Sequence, residues 1–387
     1  MKRQIILADD AQVADSLLPL TFTRPVSHLL LGMGTIKDKW ERLLPGRYSY
    51  RTAEHLRELF PNEPSEPDSL IVASHVVPSA GLADAISLLM PGEALVTNTG
   101  QLLAQCGTVE RNIVYPGHVL EITRIYNLFE HNAEAIRSDF VALTEVEVSR
   151  PLSRTCTVIG TSAKVFLAEG AVAEGVTFNT HGGPIYVGPG AEIMEGTCLR
   201  GPVAILDHST VNMLTRIYGA TTIGRHCKVG GEINNVIIHD YTNKAHDGFL
   251  GNAVIGSWCN LGAGCVASNL KNDYTEIKLW HYPTRRFCRT GLQFCGLIMG
   301  DHSKAGINTM FNTATTLGVG VNIHGTGFPR NFIGSFQEGG ATMGFSEVPL
   351  SKFFAIARRV MARRQVELTP QLERLYTAIH TLTESYR

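Results

Sequence analysis

From about residue 155 onward, aliphatic side chains recur at every sixth position. Val187, Ile193, Leu199, Ile205, Val211, Ile217, Ile223 and Val229 form eight hits in unbroken register. The register returns at Ile255 and Leu261, then at Met299, Ala305, Phe311, Leu317 and Ile323. A period of six matches neither the roughly 3.6 residues of a helical turn nor the alternation of a half-buried strand. It fits a parallel β-helix, in which each hexad is a short strand plus a corner. The aliphatic residue points into the prism. Glycine often follows it, as at Gly188, Gly224, Gly230, Gly256, Gly262, Gly300, Gly306 and Gly318, and suits the corner by tolerating backbone angles closed to other residues.

Two segments leave this register, residues 231–252 and 268–297. In a solenoid such stretches are expected to exit the stack as loops, and loops on a rigid scaffold carry function. Residues 351–364 and 370–382 have helical apolar stripes, the second introduced by Thr369 as N-cap and Pro370 in the first turn. Ahead of the solenoid, RQIILAD, LIVAS and EALVTN read as strands. The stretches 35–44, 81–90 and 132–143 read as helices, so the first part is expected to be α/β with a parallel sheet. The division is an α/β domain over 1–150, a β-helix over 151–345 and a helical segment over 346–387.

The 34 Lys and Arg residues balance 35 Asp and Glu, leaving no global basic field for nucleic acid or an anionic membrane. No apolar run approaches the ~18 residues of a membrane span, and the first residues lack the apolar core of a secretory signal. None of the eight cysteines makes a C-x-x-C pair, which points to reduced thiols and a cytoplasmic chain.

The segment KAHDGFLGNAVIGSWCNLGAGCVASN (244–269) resembles the acetyltransferase half of the bifunctional UDP-N-acetylglucosamine pyrophosphorylase/glucosamine-1-phosphate N-acetyltransferase family. The matching residues are His246, Phe249, Leu250, Gly251, Asn260 through Gly264, and Asn269. Phe249 stands where that family has tyrosine, and Leu270 replaces a second one. The resemblance implies a left-handed β-helix that trimerises with active sites between subunits, and acetyl-CoA as co-substrate. An amine attacking a thioester must lose a proton, and a neutral imidazole is a suitable base, so His246 is the candidate catalyst. Asn260 and Asn269 can hold sugar hydroxyls, with Phe249 shaping the same site. The rival reading is that His246 is an ordinary loop histidine.

Four further stretches (18–41, 126–140, GGEINNVIIHDYTNKAHDGFLGN and 290–312) resemble an alternative bacterial branch of the same family, described as sugar nucleotidyltransferases. Leu18-Pro19-Leu20-Thr21 with Arg24-Pro25 matches the nucleotidyltransferase start. The family's Gly-rich phosphate loop is replaced here by ADDAQVADS, and the lysine after Arg-Pro by Val26. Arg24, Lys37 and Lys39 are candidate phosphate contacts, or plain surface charges. Mg²⁺ would accompany UTP or a UDP-sugar if this part is active, but its ligands cannot be named.

Arg216 lies where the acetyltransferase family places a phosphate-binding arginine, whose planar fork suits a sugar phosphate. Lys271 and Lys278 are alternatives for the same anion. Histidines on the solenoid raise a zinc reading, but the H-x4-H spacing of the β-helix carbonic anhydrases is absent. Arg358, Arg359, Arg363 and Arg364 read as a solvated helix face, with a lesser reading as a contact for coenzyme A phosphates. The expected activity is acetyl transfer to glucosamine-1-phosphate, with uridylyl transfer as a second reaction. The alternatives are acyl transfer to another amino-sugar nucleotide beside a degenerate N-terminal module, or a trimeric scaffold without catalysis.

Overall fold

A computed structural model describes residues 3–387. They pack as two compact units, one running to Leu29 and from Gly34 to Asn127, the other comprising Leu30–Met33 and Leu128–Arg387.

The first unit holds a six-stranded sheet of β1 (Gln4–Ala8), β2 (Arg47–Arg51), β3 (Leu70–Ala73), β4 (Glu93–Val96), β5 (Leu102–Cys106) and β6 (Arg111–Val114). Their order is β2-β1-β3-β5-β4-β6. The sheet is mixed rather than parallel, because β5 runs antiparallel to both β3 and β4. The short link from β4 to β5 turns at Gly100 (φ +84°), and so short a connection closes only an antiparallel pair. Helices α1 (Ala11–Ser16), α2 (Ile36–Leu43) and α3 (Ala80–Ser87) flank these strands in the chain. Thr35 and Asp38 form a reciprocal capping box that fixes the start of α2.

The second unit opens with α4 (Asn127–Thr144) and continues into a prism of three sheets with eight, nine and ten strands. The first face runs from Thr157–Ile159 to Met310–Phe311, the second from Val165–Leu167 to Phe332–Ile333, and the third from Val172–Ala173 to Gly344–Glu347. Coil-to-coil pairing is parallel and in register, as in Leu199↔Ile217↔Ile233↔Leu250. Neighbouring coils are therefore ~4.8 Å apart along the axis. Every hexad aliphatic from Val187 to Val229 is at most 1% exposed, and the later ones lie in the same core. Each contributes about 1.5–3 kcal/mol of burial.

One expectation is overturned. Residues 231–252 do not leave the stack as a loop; they form strands Glu232–Asn234, Ile237–Ile238, Asn243–Lys244 and Phe249–Gly251 of the prism. The period breaks because corners are trimmed, not because the chain departs: Ile233 follows Val229 after four residues and Ile238 follows Ile233 after five. Residues 268–297 do leave the stack, carrying an antiparallel hairpin of Lys278–His281 and Arg286–Arg289.

Asn132 on α4 is fully buried, donating to the Ala220 carbonyl (2.7 Å) and accepting from the Gly32 amide (2.8 Å). At the other end, α5 (Leu350–Ala362) and α6 (Pro370–Leu382) set Phe353 and Tyr376 edge-on against His302 at 5.6 and 5.3 Å. No helix among the described residues is long and apolar enough to cross a membrane.

Candidate active site

His246 sits on the corner that joins strand Asn243–Lys244 of the third face to strand Phe249–Gly251 of the first. It is exposed. On the third face the outward ladder Lys228↔Asn243↔Asn260↔Lys304 runs through this corner's coil. These four residues, with Arg363 and Arg364 from the end of α5, line a cavity of about 440 Å³. Its wall includes Tyr241 and Trp258, stacked 4.1 Å apart with their ring planes nearly parallel. Arg364 donates to the Asn243 side chain (2.9 Å). Lys304 donates to the His302 carbonyl (3.0 Å), and burial pulls its ammonium below the usual lysine range. No carboxylate lines this cavity, so it presents positive charge beside a flat aromatic wall.

On the first face, Arg216, Glu232 and Phe249 stand in successive coils. Arg216 is thus two rungs, or ~10 Å, from Phe249. Its guanidinium pairs with Glu232 at 3.5 Å, and Tyr218 donates to the same carboxylate at 2.6 Å. That hydrogen bond is the largest cause of the raised Tyr218 pKa. The corner therefore gathers His246, Asn260, Phe249 and Arg216 from two adjoining faces.

Lys271 is placed elsewhere, beyond the far edge of the first face, whereas the Asn269 amide and the tip of the Phe249 ring are neighbours over Gly251. Asn269 donates to the Asn252 side chain (2.8 Å). Lys271 donates to the Glu276 carbonyl (2.9 Å) and lines a separate cavity of about 770 Å³ with Lys278, Trp280 and Phe332 beside the hairpin. Within one chain Lys271 therefore lies apart from the His246 corner.

In the first unit Arg24 and Lys37 share a neighbour: after burial, their two charges help hold the His28 pKa down. Lys37 pairs with Glu41 at 2.5 Å, Arg24 lies against the Thr23 hydroxyl at 3.4 Å, and Lys39 is 3% exposed, out of reach of a phosphate arriving from solvent. The turn after β1 is self-satisfied. The Asp10 carboxylate accepts from the Gln12 (2.8 Å) and Val13 (3.1 Å) amides, so the chain's own anion occupies donors that a phosphate would need. Asp9 accepts from Val26, Thr52 and Ser74, and burial is the main reason its pKa is raised. Neither carboxylate is free for Mg²⁺, and no cluster of three or more His, Cys, Asp or Glu suited to a metal exists among the described residues. The residues present do not fit a bound Mg²⁺, and no step is derived through one.

Residues 5–147 match the model of a family described as sugar nucleotidyl transferase. The chain is 36% identical over 96 residues to the bifunctional protein GlmU of Gloeobacter violaceus, covering 24% of this chain and 21% of that one. It is 29% identical over 149 residues to GlmU of Acaryochloris marina, covering 35% and 28%. The chain is thus similar to GlmU over the matched stretches alone. It spans less than a third of the length of either GlmU protein. Among solved structures, the polySia specific acetyltransferase NeuO aligns over 55% of this chain at 12% identity with a TM-score of 0.29, too slight a likeness to carry any argument.

The sequence alone did not mark Asn243, Tyr241, Trp258 and Lys304 as neighbours of Asn260, nor single out Lys244. Tyr241, Asn243 and Lys244 fall in the stretch taken for a loop; counting back from Leu261 by coil pairing rather than by sixes finds them.

Proposed function

We propose that the solenoid transfers an acetyl group from acetyl-CoA to the amine of glucosamine-1-phosphate. The observation that carries this is the corner itself: an exposed imidazole between a cationic, aromatic-walled cavity and a face bearing an arginine. The cavity suits the phosphates of coenzyme A, held by Lys228, Lys304, Arg363 and Arg364, with the thioester directed toward Asn260. The amine loses its proton to His246 as it attacks the thioester carbonyl; the adduct then breaks its C–S bond, and the coenzyme A thiolate leaves with the proton returned by the imidazolium. Arg216, released from Glu232, takes the sugar phosphate. Phe249 closes one side of the sugar without offering a hydroxyl. Asn269 stands beside Phe249 in the same chain, and Lys271 joins the site only if a second subunit supplies it. A cyclic trimer does this, and the exposed side chains Met213 (57%), Leu214 (69%) and Ile307 (71%) along the same edge give it an apolar seat. A cytoplasmic setting, where acetyl-CoA is available and thiols stay reduced, suits the unpaired cysteines.

Thiol release from acetyl-CoA against a panel of amino sugars tests the reading. His246→Ala should cost about 10²–10⁴ in rate while acetyl-CoA binding survives. Undiminished turnover in that variant would remove His246 from the mechanism. Preference for another amino-sugar nucleotide would favour the variant reading that Phe249 suggests. For uridylyl transfer the self-capped turn after β1 argues for a non-catalytic first unit. The full chain should then release no pyrophosphate from UTP and N-acetylglucosamine-1-phosphate; release would show that Asp10 gives way to the nucleotide.

A further inference from the structure

We propose that Lys244 is a positioning residue for His246, its ammonium replacing inside the prism the hydroxyl or thiol found at the other corners of this edge. The proposal rests on the reading of His246 as general base.

At four corners between the third and first faces, the third residue after the inward side chain has positive φ: Gly196 (74°), Leu214 (60°), Gly264 (69°) and Asn308 (57°). The residue after it is Thr197, Thr215, Cys265 or Thr309, each buried. Its hydroxyl or thiol donates to a backbone carbonyl, as from Thr197 to Asn212 (3.2 Å), Cys265 to Gly306 (3.1 Å) and Thr309 to Gly306 (2.8 Å). The His246 corner lacks both features. Asp247, in the third place, has no positive φ, and Gly248, in the fourth, has φ +131° and no side chain. In the preceding coil the same corner has lost two residues, so Val229 is followed by Ile233 after four. Two successive coils therefore lack the internal donor.

Lys244 fills that gap. It occupies the inward column of Val211, Val229, Leu261 and Ala305, where every other side chain is aliphatic, and it is 1% exposed. Its ammonium donates to the carbonyls of Gly230 (2.8 Å) and His246 (2.9 Å). From two coils below, the Asn212 side chain donates to the Ala245 carbonyl (2.7 Å); from the coil above, the Gly264 amide donates to the Asp247 carbonyl (2.9 Å). Three consecutive carbonyls around His246 are thus held from below, from within and from above. The peptide planes on both sides of His246 are fixed, which sets the direction of its Cα–Cβ bond although the imidazole is exposed. An aliphatic residue at 244 would leave two buried carbonyls without a donor and free the 246–247 peptide to turn.

The full chain with Lys244→Met, and with Lys244→Gln as a variant that keeps an amide donor, tests this. For Lys244→Met we expect amide exchange across 245–248 to quicken about tenfold or more while coils around Ile223 and Ile255 stay protected. We expect kcat to fall about 10–100-fold with KM for acetyl-CoA within about twofold, the mark of a misdirected base rather than a lost binding site. Lys244→Gln should fall between, and it carries the comparison if Lys244→Met does not fold. Wild-type exchange and wild-type kcat in both variants would overturn the proposal, as would faster exchange spread evenly over all coils. If the wild type acetylates no amino sugar, the general-base reading fails, and the exchange pattern alone then decides whether Lys244 holds the corner.

Discussion

Burial of Lys244 should write itself into the alkaline stability of the solenoid. Its pKa is lowered from 10.5 to about 8, mainly by desolvation inside the prism. Between those values the unfolded chain holds a proton that the folded chain has released. The contribution of this group to stability therefore rises with pH, and is lost as pH falls through about 8. At 1.36 kcal/mol per unit, the gain relative to pH 7 is about 1.4 kcal/mol at pH 9 and about 2.5 kcal/mol at pH 10. Absolute stability will not show this directly. Burial raises the thiols of Cys259 and Cys295 to about 12, and Cys227 higher still, so the folded chain keeps protons that unfolded thiols lose above about 9. Those groups make stability fall over the same range. The comparison that isolates the lysine is wild type against Lys244→Met, by urea unfolding under reducing conditions at pH 7, 9 and 10, followed at Trp258 and Trp280. Lys244→Met should lose stability with pH more steeply than wild type by the amounts above. Parallel pH curves would refute the argument, showing that Lys244 is hydrated and keeps its proton in the folded chain as it does in the unfolded one.

Three further outcomes follow from single sites. Both ring nitrogens of His302 are buried without a hydrogen bond, and burial holds its pKa well below 6.5. Below about pH 6.5 the unfolded chain takes a proton that the folded one refuses, so stability drops as pH falls; His302→Phe should flatten this limb by up to about 1.4 kcal/mol per pH unit in acid unfolding. Ile238→Ala, in the fully buried second-face column, should cost about 2–5 kcal/mol in urea denaturation. Asp10→Ala should lower the stability of the first unit by about 1 kcal/mol through loss of the α1 cap, and an unchanged thermal midpoint would show the cap to be idle.

The β-helix was legible because its cause is local and repeated: a strand of two or three residues and a corner consume six residues, and only the inward one must be aliphatic. The capping signal Thr369-Pro370 was legible for the same reason, since it acts on amides within a turn. The mixed sheet of the first unit was not, because β5 pairs with β3 across a connection whose direction no periodicity encodes.

The candidate site divides along the same line. His246, Asn260, Phe249 and Arg216 were named from sequence by their resemblance to a motif. That Arg216 is matched by Glu232, and that Asn260 shares a ladder with Asn243 and Lys304, depends on which coil lies against which. Between residues 229 and 255 the trimmed corners shift that pairing by several residues, so counting sixes hides it. Lys244 shows the limit most plainly. Read alone it is a charged residue beside a histidine in a presumed loop; only the stacked coils turn it inward, because a corner two residues short and a glycine without a side chain leave carbonyls there that no nearer donor can reach.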